Sequence, residues 1–238
     1  MLITKHFIFI HMQKTGGVFF RRLFEDHLPP DWIVHEPKIG AHAGRDRIPS
    51  QYAHLPAIAF VRNPWDWYVS WYHWENQWLK SGKVEEPPGE KHPWNTLFGR
   101  GTLDFREAVT RACTRREGRR PWETVMQAWD VDFLSAVYGI KTGHYPPGSD
   151  LPPQLAAGIP SGVGAIDVGR FEYLREDLLS FMERHDVPVS RDFVQAVQTS
   201  PERHGSARGA YSQYYDDDLR ELVARNARHV IAEHGYQY

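Results

Sequence analysis

Residues 7–17 read FIFIHMQKTGG, a short apolar run followed by a loop with one lysine and two glycines. The chain continues as VFFRRLFEDHL, in which apolar residues recur at helical spacing. We therefore predict a strand over 6–11, then a loop, then a helix over about 17–27. Backbone N–H groups of such a loop and of the first helical turn converge on one point, and Lys14 adds a positive charge there. This stretch predicts a site for phosphate or a similar anion.

The order of residues in this loop differs from two common nucleotide-binding motifs. A Walker A loop, GxxxxGK[ST], has its glycines before the lysine, whereas Gly16 and Gly17 follow Lys14. The dinucleotide fingerprint GxGxxG is missing as well, because VFF follows the two glycines. The pattern disfavours a nucleoside triphosphatase. Taken alone, the loop is equally compatible with an ordinary strand-to-helix turn that uses glycine for backbone freedom.

A second motif lies at residues 57–74, which read AIAFVRNPWDWYVSWYHW. The apolar run 57–61 is typical of a buried parallel strand. Asn63 suits the N-cap and Pro64 the first position of a helix, which we predict over 64–80. Arg62 then lies where the strand ends, and Ser70 lies on the second turn of the helix. One anion bound by both residues would lie beside the helix rather than at its tip.

The two motifs, in this order, resemble those of sulfotransferases that use 3′-phosphoadenosine 5′-phosphosulfate (PAPS). In this family the first loop binds the 5′-phosphosulfate, and an arginine and a serine eight residues apart bind the 3′-phosphate. The resemblance implies a 3′ site at Arg62 and Ser70. It implies a 5′ site at the first loop and the residues that follow it: Lys14, Thr15, Gly16, Gly17, Val18 and Phe19.

The resemblance continues in the C-terminal half. VGRFEYL at 168–174 is similar to a late strand-to-helix junction of the family. ERHGSARGAYSQYY at 202–215 is similar to the loop that closes over the nucleotide. This similarity implies that Arg208 and Gly209 also bind the 3′-phosphate.

One departure from the family pattern concerns Val18 and Phe19. Family members usually have hydroxyl residues just after the glycines, and those hydroxyls donate to the phosphosulfate. In this chain the same positions offer only backbone N–H groups, beside Thr15 and Lys14. A homologue that binds the nucleotide without catalysis is therefore an alternative to an active enzyme.

Sulfuryl transfer sets the chemistry that the site must supply. A cation should stabilise the charge that develops on the leaving oxygen, and Lys14 is our candidate. A base should accept the proton of the attacking group. His42, in KIGAHAGRDRIP, resembles the histidine of this segment in many relatives and is the first candidate, with His35 and Glu36 as alternatives and an exposed loop histidine as the plain reading. The reaction requires no metal, and we expect none.

The order of predicted elements indicates an α/β fold. Strands at 6–11, 32–35, 57–61 and 165–171 alternate with helices at about 17–27, 64–80, 174–185 and 216–234, while 103–114 and 122–137 also look helical. We predict one sulfotransferase domain over 1–238, with a P-loop-like three-layer α/β/α architecture, a central parallel sheet and helical insertions. Trp67, Trp71, Trp74 and Trp78 share one helical face, either as core or as part of an acceptor cleft.

Composition limits the remaining possibilities. The formal net charge is −2, which argues against general nucleic-acid binding. Cys113 is the single cysteine, so no intrachain disulfide is expected. The first apolar run is too short to span a membrane and lacks a signal-peptide pattern, so we expect a cytoplasmic protein without a membrane partner.

The predicted function is transfer of a sulfuryl group from PAPS to a hydroxyl or amine of a small-molecule or carbohydrate acceptor, with 3′-phosphoadenosine 5′-phosphate as product. A nucleotide or nucleoside kinase of related fold is a further alternative, weakened by the missing GK[ST] order. The sequence does not identify the acceptor or the oligomeric state.

Overall fold

The computed structural model describes residues 1–34, 44, 48–80, 102–114, 166–201 and 208–238. Within this part of the chain, five strands form one sheet and seven α-helices accompany it. The predicted α/β class is therefore confirmed. The chain divides into two compact units. The sheet unit contains the described parts of 1–62 and 166–201, and the helical unit contains those of 63–80, 102–114 and 208–238. A single domain over the whole chain stays a prediction.

The elements have the following bounds. The strands are β1 (Leu2–Thr4), β2 (Ile8–Ile10), β3 (Ile33–Val34), β4 (Ala57–Val61) and β5 (Ile166–Arg170). The helices are α1 (Gly17–His27), α2 (Pro64–Lys80), α3 (Phe105–Thr114), α4 (Leu174–Arg184), α5 (Arg191–Thr199), α6 (Asp217–Asn226) and α7 (Arg228–His234). Helix α1 begins and ends as predicted, and α2 does the same.

The sheet has the strand order β3-β1-β2-β4-β5 and is mixed. Strands β2, β4 and β5 run parallel, but β1 is antiparallel to both β2 and β3. The prediction of a wholly parallel sheet is therefore wrong at this edge. The cause is a tight turn before β2, in which the Thr4 hydroxyl accepts from the Phe7 N–H at 2.9 Å and donates to the Phe7 carbonyl at 2.8 Å. This turn folds the first residues back onto β2 as an extra strand.

The core of the sheet unit lies on one face of the sheet. Phe9 on β2 and Phe60 on β4 are fully buried there, and α1, α4 and α5 supply most of the other residues of the same cluster. Residues on the opposite face of the central strands, such as Ile8 and Ala59, are buried as well. Burial of both faces explains why these strands read as continuous apolar runs in the sequence.

Helix α2 starts in the predicted way. The Asn63 side-chain oxygen accepts from the backbone N–H groups of Trp65 and Asp66 at 3.1 and 3.3 Å, and Pro64 occupies the first helical position. Two predicted stripe residues, Trp67 and Trp71, are buried, which favours the core reading for both. Trp74 is 40% exposed, and the side chain of Trp78 lies outside the described residues.

The structure departs from the predicted elements in three further places. The expected helix over 216–234 is two helices, because Ala227 has φ −106 and ψ 22 and interrupts it. Just before that break, the Asn226 side chain donates to the Leu222 carbonyl at 2.8 Å, a local bond of the kind that competes with helix formation. Helix α5 was not predicted, although Ser190 is a standard cap that accepts from the Phe193 N–H. The expected strand over 32–35 is limited to β3 in the described residues, and 122–137 lies outside them.

Among the described helices, none has both the length and the apolar character needed to cross a lipid bilayer.

Candidate anion-binding site

The predicted 5′ site is a loop with two left-handed residues between β2 and α1. Lys14 has φ 62 and Gly16 has φ 84. A left-handed backbone costs a residue with a side chain about 1–2 kcal/mol, so the conformation of Lys14 needs support from its surroundings. Thr15 lies between the two residues and is buried, and its hydroxyl donates to the Met12 carbonyl at 3.0 Å. The predicted Thr15 donor is therefore directed at the protein in this structure.

Position 17, the first residue of α1, must be glycine because a neighbouring ring lies too close for any side chain. A Cβ atom at this position would overlap the ring of His11, which follows β2. The His11 ring is itself stacked on Phe9, with ring centroids 6.0 Å apart and planes at 19°. His11 thus packs against the loop from the end of the strand, and only glycine leaves room for it.

Replacing Gly17 by alanine should destabilise the protein, because the new methyl group and the His11 ring cannot occupy the same space. Overpacking of this kind costs about 1–3 kcal/mol, and chemical denaturation followed by circular dichroism would measure it. A second substitution, His11→Ala, should recover most of the loss, since it removes the overlapping ring.

Gly235 offers a matched control for this substitution. It has φ 63 but nothing within 4 Å of an added Cβ. Gly235→Ala should therefore cost only the left-handed strain of about 1–2 kcal/mol, and His11→Ala should not recover it. If His11→Ala failed to recover Gly17→Ala, the proposed overlap would be wrong.

Arg62 links the second motif to the first. Its side chain is buried, with the residue 7% exposed, and its Nη1 donates to the Lys14 carbonyl at 3.0 Å. The guanidinium lies over the Phe171 ring, with Cζ 4.0 Å from the ring centroid. A hydrogen bond from a charged donor contributes about 1.5–3 kcal/mol, comparable with the strain at Lys14. Two motifs that lie 48 residues apart in the sequence therefore meet in direct contact.

Phe171 has a role that the sequence did not reveal. It directly follows β5, its ring lies against the Arg62 guanidinium, and a Cβ on Gly16 would lie 3.6 Å from the ring. The resemblance of VGRFEYL to a family junction marked this segment without indicating a role for Phe171. Strands β2, β4 and β5 are parallel, so their C-terminal ends lie at the same edge of the sheet. Lys14, Arg62 and Phe171 come after these strands and therefore lie at that edge.

The side chains of Val18 and Phe19 supply no polar group to this loop. Val18 is 42% exposed. Phe19 is half-buried and packs against the core of the sheet unit. The Arg175 Cζ lies over its ring, 4.9 Å from the ring centroid. Any contact of these two residues with a phosphosulfate would come from their backbone N–H groups.

The helical unit contains the other predicted 3′ residues. Ser70 is buried on α2. Arg208 forms an ion pair with Asp66, with Nη2 and Oδ1 2.6 Å apart and both side chains less than one-fifth exposed. Asp66 and Ser70 are four residues apart on α2 and so share one face of the helix. The ion pair therefore attaches Arg208 to the helix face that carries Ser70, and Asp66 is a second residue that sequence reasoning missed.

Gly209 lies close to a neighbouring side chain. A Cβ on Gly209 would overlap the side-chain oxygen of Gln213, in the short 3₁₀ turn Tyr211–Tyr214. The preceding residues 202–207 of the predicted closing loop lie outside the described part of the chain.

The predicted base cannot be located in the same way. His42, His35 and Glu36 all lie outside the described residues. Burial raises the pKa of the Cys113 thiol to about 12, so this cysteine stays protonated at neutral pH. In the described part of the chain, no three His, Cys, Asp or Glu residues are grouped as metal ligands would be.

The predicted residues thus fall into two sets. The sheet unit brings together Arg62 and the loop from Lys14 to Gly17, while the helical unit holds Ser70, Arg208 and Gly209. Comparisons with family models, with curated proteins and with solved structures gave no match to this chain.

Proposed function

We propose that this protein is a PAPS-dependent sulfotransferase with a P-loop-like three-layer α/β/α fold. One observation carries the proposal: Arg62 donates to the Lys14 carbonyl at 3.0 Å, so the two motifs that resemble the 5′ and 3′ sites of that family are in contact. Nothing in the local sequence of either motif requires this contact, since 48 residues separate them.

The loop chemistry supports an anionic ligand. The loop follows a buried parallel strand and leads directly into α1, an arrangement whose backbone N–H groups and helix dipole favour negative charge. Lys14 and Arg62 add two positive charges at the same edge of the sheet. A phosphosulfate carries negative charge on both of its acidic groups, and two cations beside a helix N-terminus match it.

The proposed reaction is a single in-line displacement. The acceptor oxygen or nitrogen forms a bond to sulfur while the bond from sulfur to the bridging oxygen breaks, and 3′-phosphoadenosine 5′-phosphate leaves with the electron pair. The Lys14 ammonium stabilises the negative charge that grows on the leaving oxygen. The acceptor's proton passes to a base, for which His42 stays the first candidate. The acceptor is a small molecule or carbohydrate, and a cytoplasmic setting also stays a prediction.

The helical unit supports the 3′ site. Arg208 is held beside the first turn of α2 by Asp66, on the helix face that carries Ser70. A guanidinium fixed by one carboxylate retains further N–H donors for a phosphate, because arginine has five in a planar fork. Selective recognition of a 3′-phosphate would need donors of this kind.

A non-catalytic nucleotide-binding protein is the second candidate, and a specific observation favours it. The Thr15 hydroxyl donates to the Met12 carbonyl, and the side chains at positions 18 and 19 are apolar. This loop therefore offers a bound phosphosulfate fewer side-chain hydroxyl donors than the loop of the family does. Such a protein would bind the desulfated nucleotide and would not turn over PAPS.

Calorimetric titration with 3′-phosphoadenosine 5′-phosphate tests the proposal. This bisphosphate should bind at least about tenfold more tightly than 5′-AMP, because each added hydrogen bond between charged groups contributes about 1.5–3 kcal/mol. Adenosine 2′,5′-bisphosphate is the matched control, since it has the same groups with the second phosphate moved. Equal affinity for the two bisphosphates would contradict a 3′ site, and preferential binding of ATP would favour the kinase alternative.

A further inference from the structure

The backbone at Lys14 is in a conformation that its residue type disfavours. Lys14 and Asp186 are the two non-glycine residues with positive φ in the described part of the chain, at 62° and 50°. Residues with a Cβ atom rarely adopt positive φ unless the surrounding structure holds them there. At Lys14 the distortion lies within the loop that would bind the 5′-phosphosulfate, so whatever holds this residue also shapes the site.

Arg62 is in direct contact with this distorted peptide. Its Nη1 donates to the carbonyl of Lys14 itself, the group whose direction depends on the backbone rotation at that residue. Because Arg62 is buried and its Cζ lies 4.0 Å from the centroid of the Phe171 ring, the donor has little freedom to follow the carbonyl elsewhere. Phe171 follows β5 and Arg62 follows β4, so the bond ties the loop to two neighbouring strands of the sheet.

We infer that Arg62 is a positioning residue for the 5′ site: it holds the Lys14 peptide in its left-handed conformation and thereby fixes the loop that binds the 5′-phosphosulfate. This inference rests on the proposed function. It adds to the 3′-phosphate role that the family resemblance implies, because arginine has five N–H donors and can serve more than one acceptor. A ligand with no 3′-phosphate should therefore still depend on Arg62.

The first experiment compares two nucleotides in calorimetric titrations of the full chain. Arg62→Ala should weaken 5′-AMP, which has no 3′-phosphate, and it should weaken 3′-phosphoadenosine 5′-phosphate by at least the same factor, about tenfold or more. Loss of affinity for the bisphosphate with unchanged affinity for 5′-AMP would overturn the inference and leave the proposed function intact.

The second experiment does not depend on any ligand. Glycine adopts positive φ readily, so the left-handed backbone costs free energy with Lys14 that it does not cost with glycine at this position. If Arg62 holds that strained peptide, Arg62→Ala breaks the bond but lets the Lys14 backbone relax and recover its strain. The midpoint of thermal unfolding should therefore fall less in the Lys14 protein than in the Lys14→Gly protein, where no strain is relieved. An equal shift in both would overturn the inference.

Asp186→Gly is the matched control for this comparison, because Asp186 is the other left-handed residue and lies at the end of α4 rather than in the loop. The shift caused by Arg62→Ala should be the same with and without Asp186→Gly. If it also changed with Asp186→Gly, the coupling would not be specific to Lys14 and the inference would fail. If the wild-type protein bound neither nucleotide, the proposed function would fail, and the unfolding comparison would still decide the role of Arg62.

Discussion

Replacing Phe20 by alanine is expected to lower the free energy of unfolding by about 3–5 kcal/mol. Phe20 lies on α1 and is fully buried. Its ring centroid is 5.2 Å from that of Phe9, 4.5 Å from that of Phe60 and 5.8 Å from that of Phe24. Removing the ring takes away buried apolar area and leaves a cavity that aromatic neighbours on rigid strands cannot easily fill.

Val18 provides the control on the same helix. It lies two residues before Phe20 and is 42% exposed, so Val18→Ala should change stability by less than about 0.5 kcal/mol. Urea unfolding monitored by circular dichroism would measure both variants. A loss below about 1 kcal/mol for Phe20→Ala would mean that α1 does not pack on the sheet through this side chain.

The parts of the fold that follow from neighbouring residues could be predicted from the sequence. Helix α1 begins right after Gly16 as expected, because the left-handed conformation that precedes the helix depends only on the glycine at that position. Helix α2 begins at Pro64 as expected, because Asn63 caps it within three residues. In both cases the deciding interactions join residues that are close in the chain.

The parts that depend on distant residues were not predictable. The antiparallel strand β1 pairs with β3, which lies about thirty residues away. Its fold-back onto β2 is made by the local Thr4 turn, but no turn signal such as Asn-Gly marks that turn in the sequence. The bond between Arg62 and Lys14 spans 48 residues, and the Phe171 ring comes from still farther along the chain. The sequence therefore supplied the candidate residues Lys14 and Arg62, but it did not predict how they contact each other and Phe171.

The left-handed backbone of Lys14 is a further instance. Lysine has no local preference for positive φ, so its residue type does not predict this conformation. The Arg62 bond to its carbonyl is a long-range contact that can hold this conformation. Residues that break a local rule and are held by long-range contacts are common at functional sites, which is why Lys14 is the residue whose substitution should affect chemistry most.

Lys14→Ala is expected to slow cleavage of PAPS by about 10²–10³-fold at saturating nucleotide, the loss typical of removing one group that stabilises a developing oxyanion. Transfer of the sulfuryl group to water forms 3′-phosphoadenosine 5′-phosphate and sulfate, so the rate can be measured by chromatography of the nucleotide without knowing the natural acceptor. The fold should tolerate the change, because the Lys14 side chain is not part of the buried core.

Lys5→Ala is the matched control, since it removes the same charge from the same unit. Lys5 is an exposed residue whose ammonium lies 2.6 Å from Asp31, and a surface pair of this kind contributes little to stability. Its loss should leave the cleavage rate unchanged. If Lys14→Ala cleaved PAPS at the wild-type rate, Lys14 would not be the cation on the leaving oxygen. If both variants slowed the reaction equally, the effect would come from overall charge rather than from the position of Lys14 in the loop.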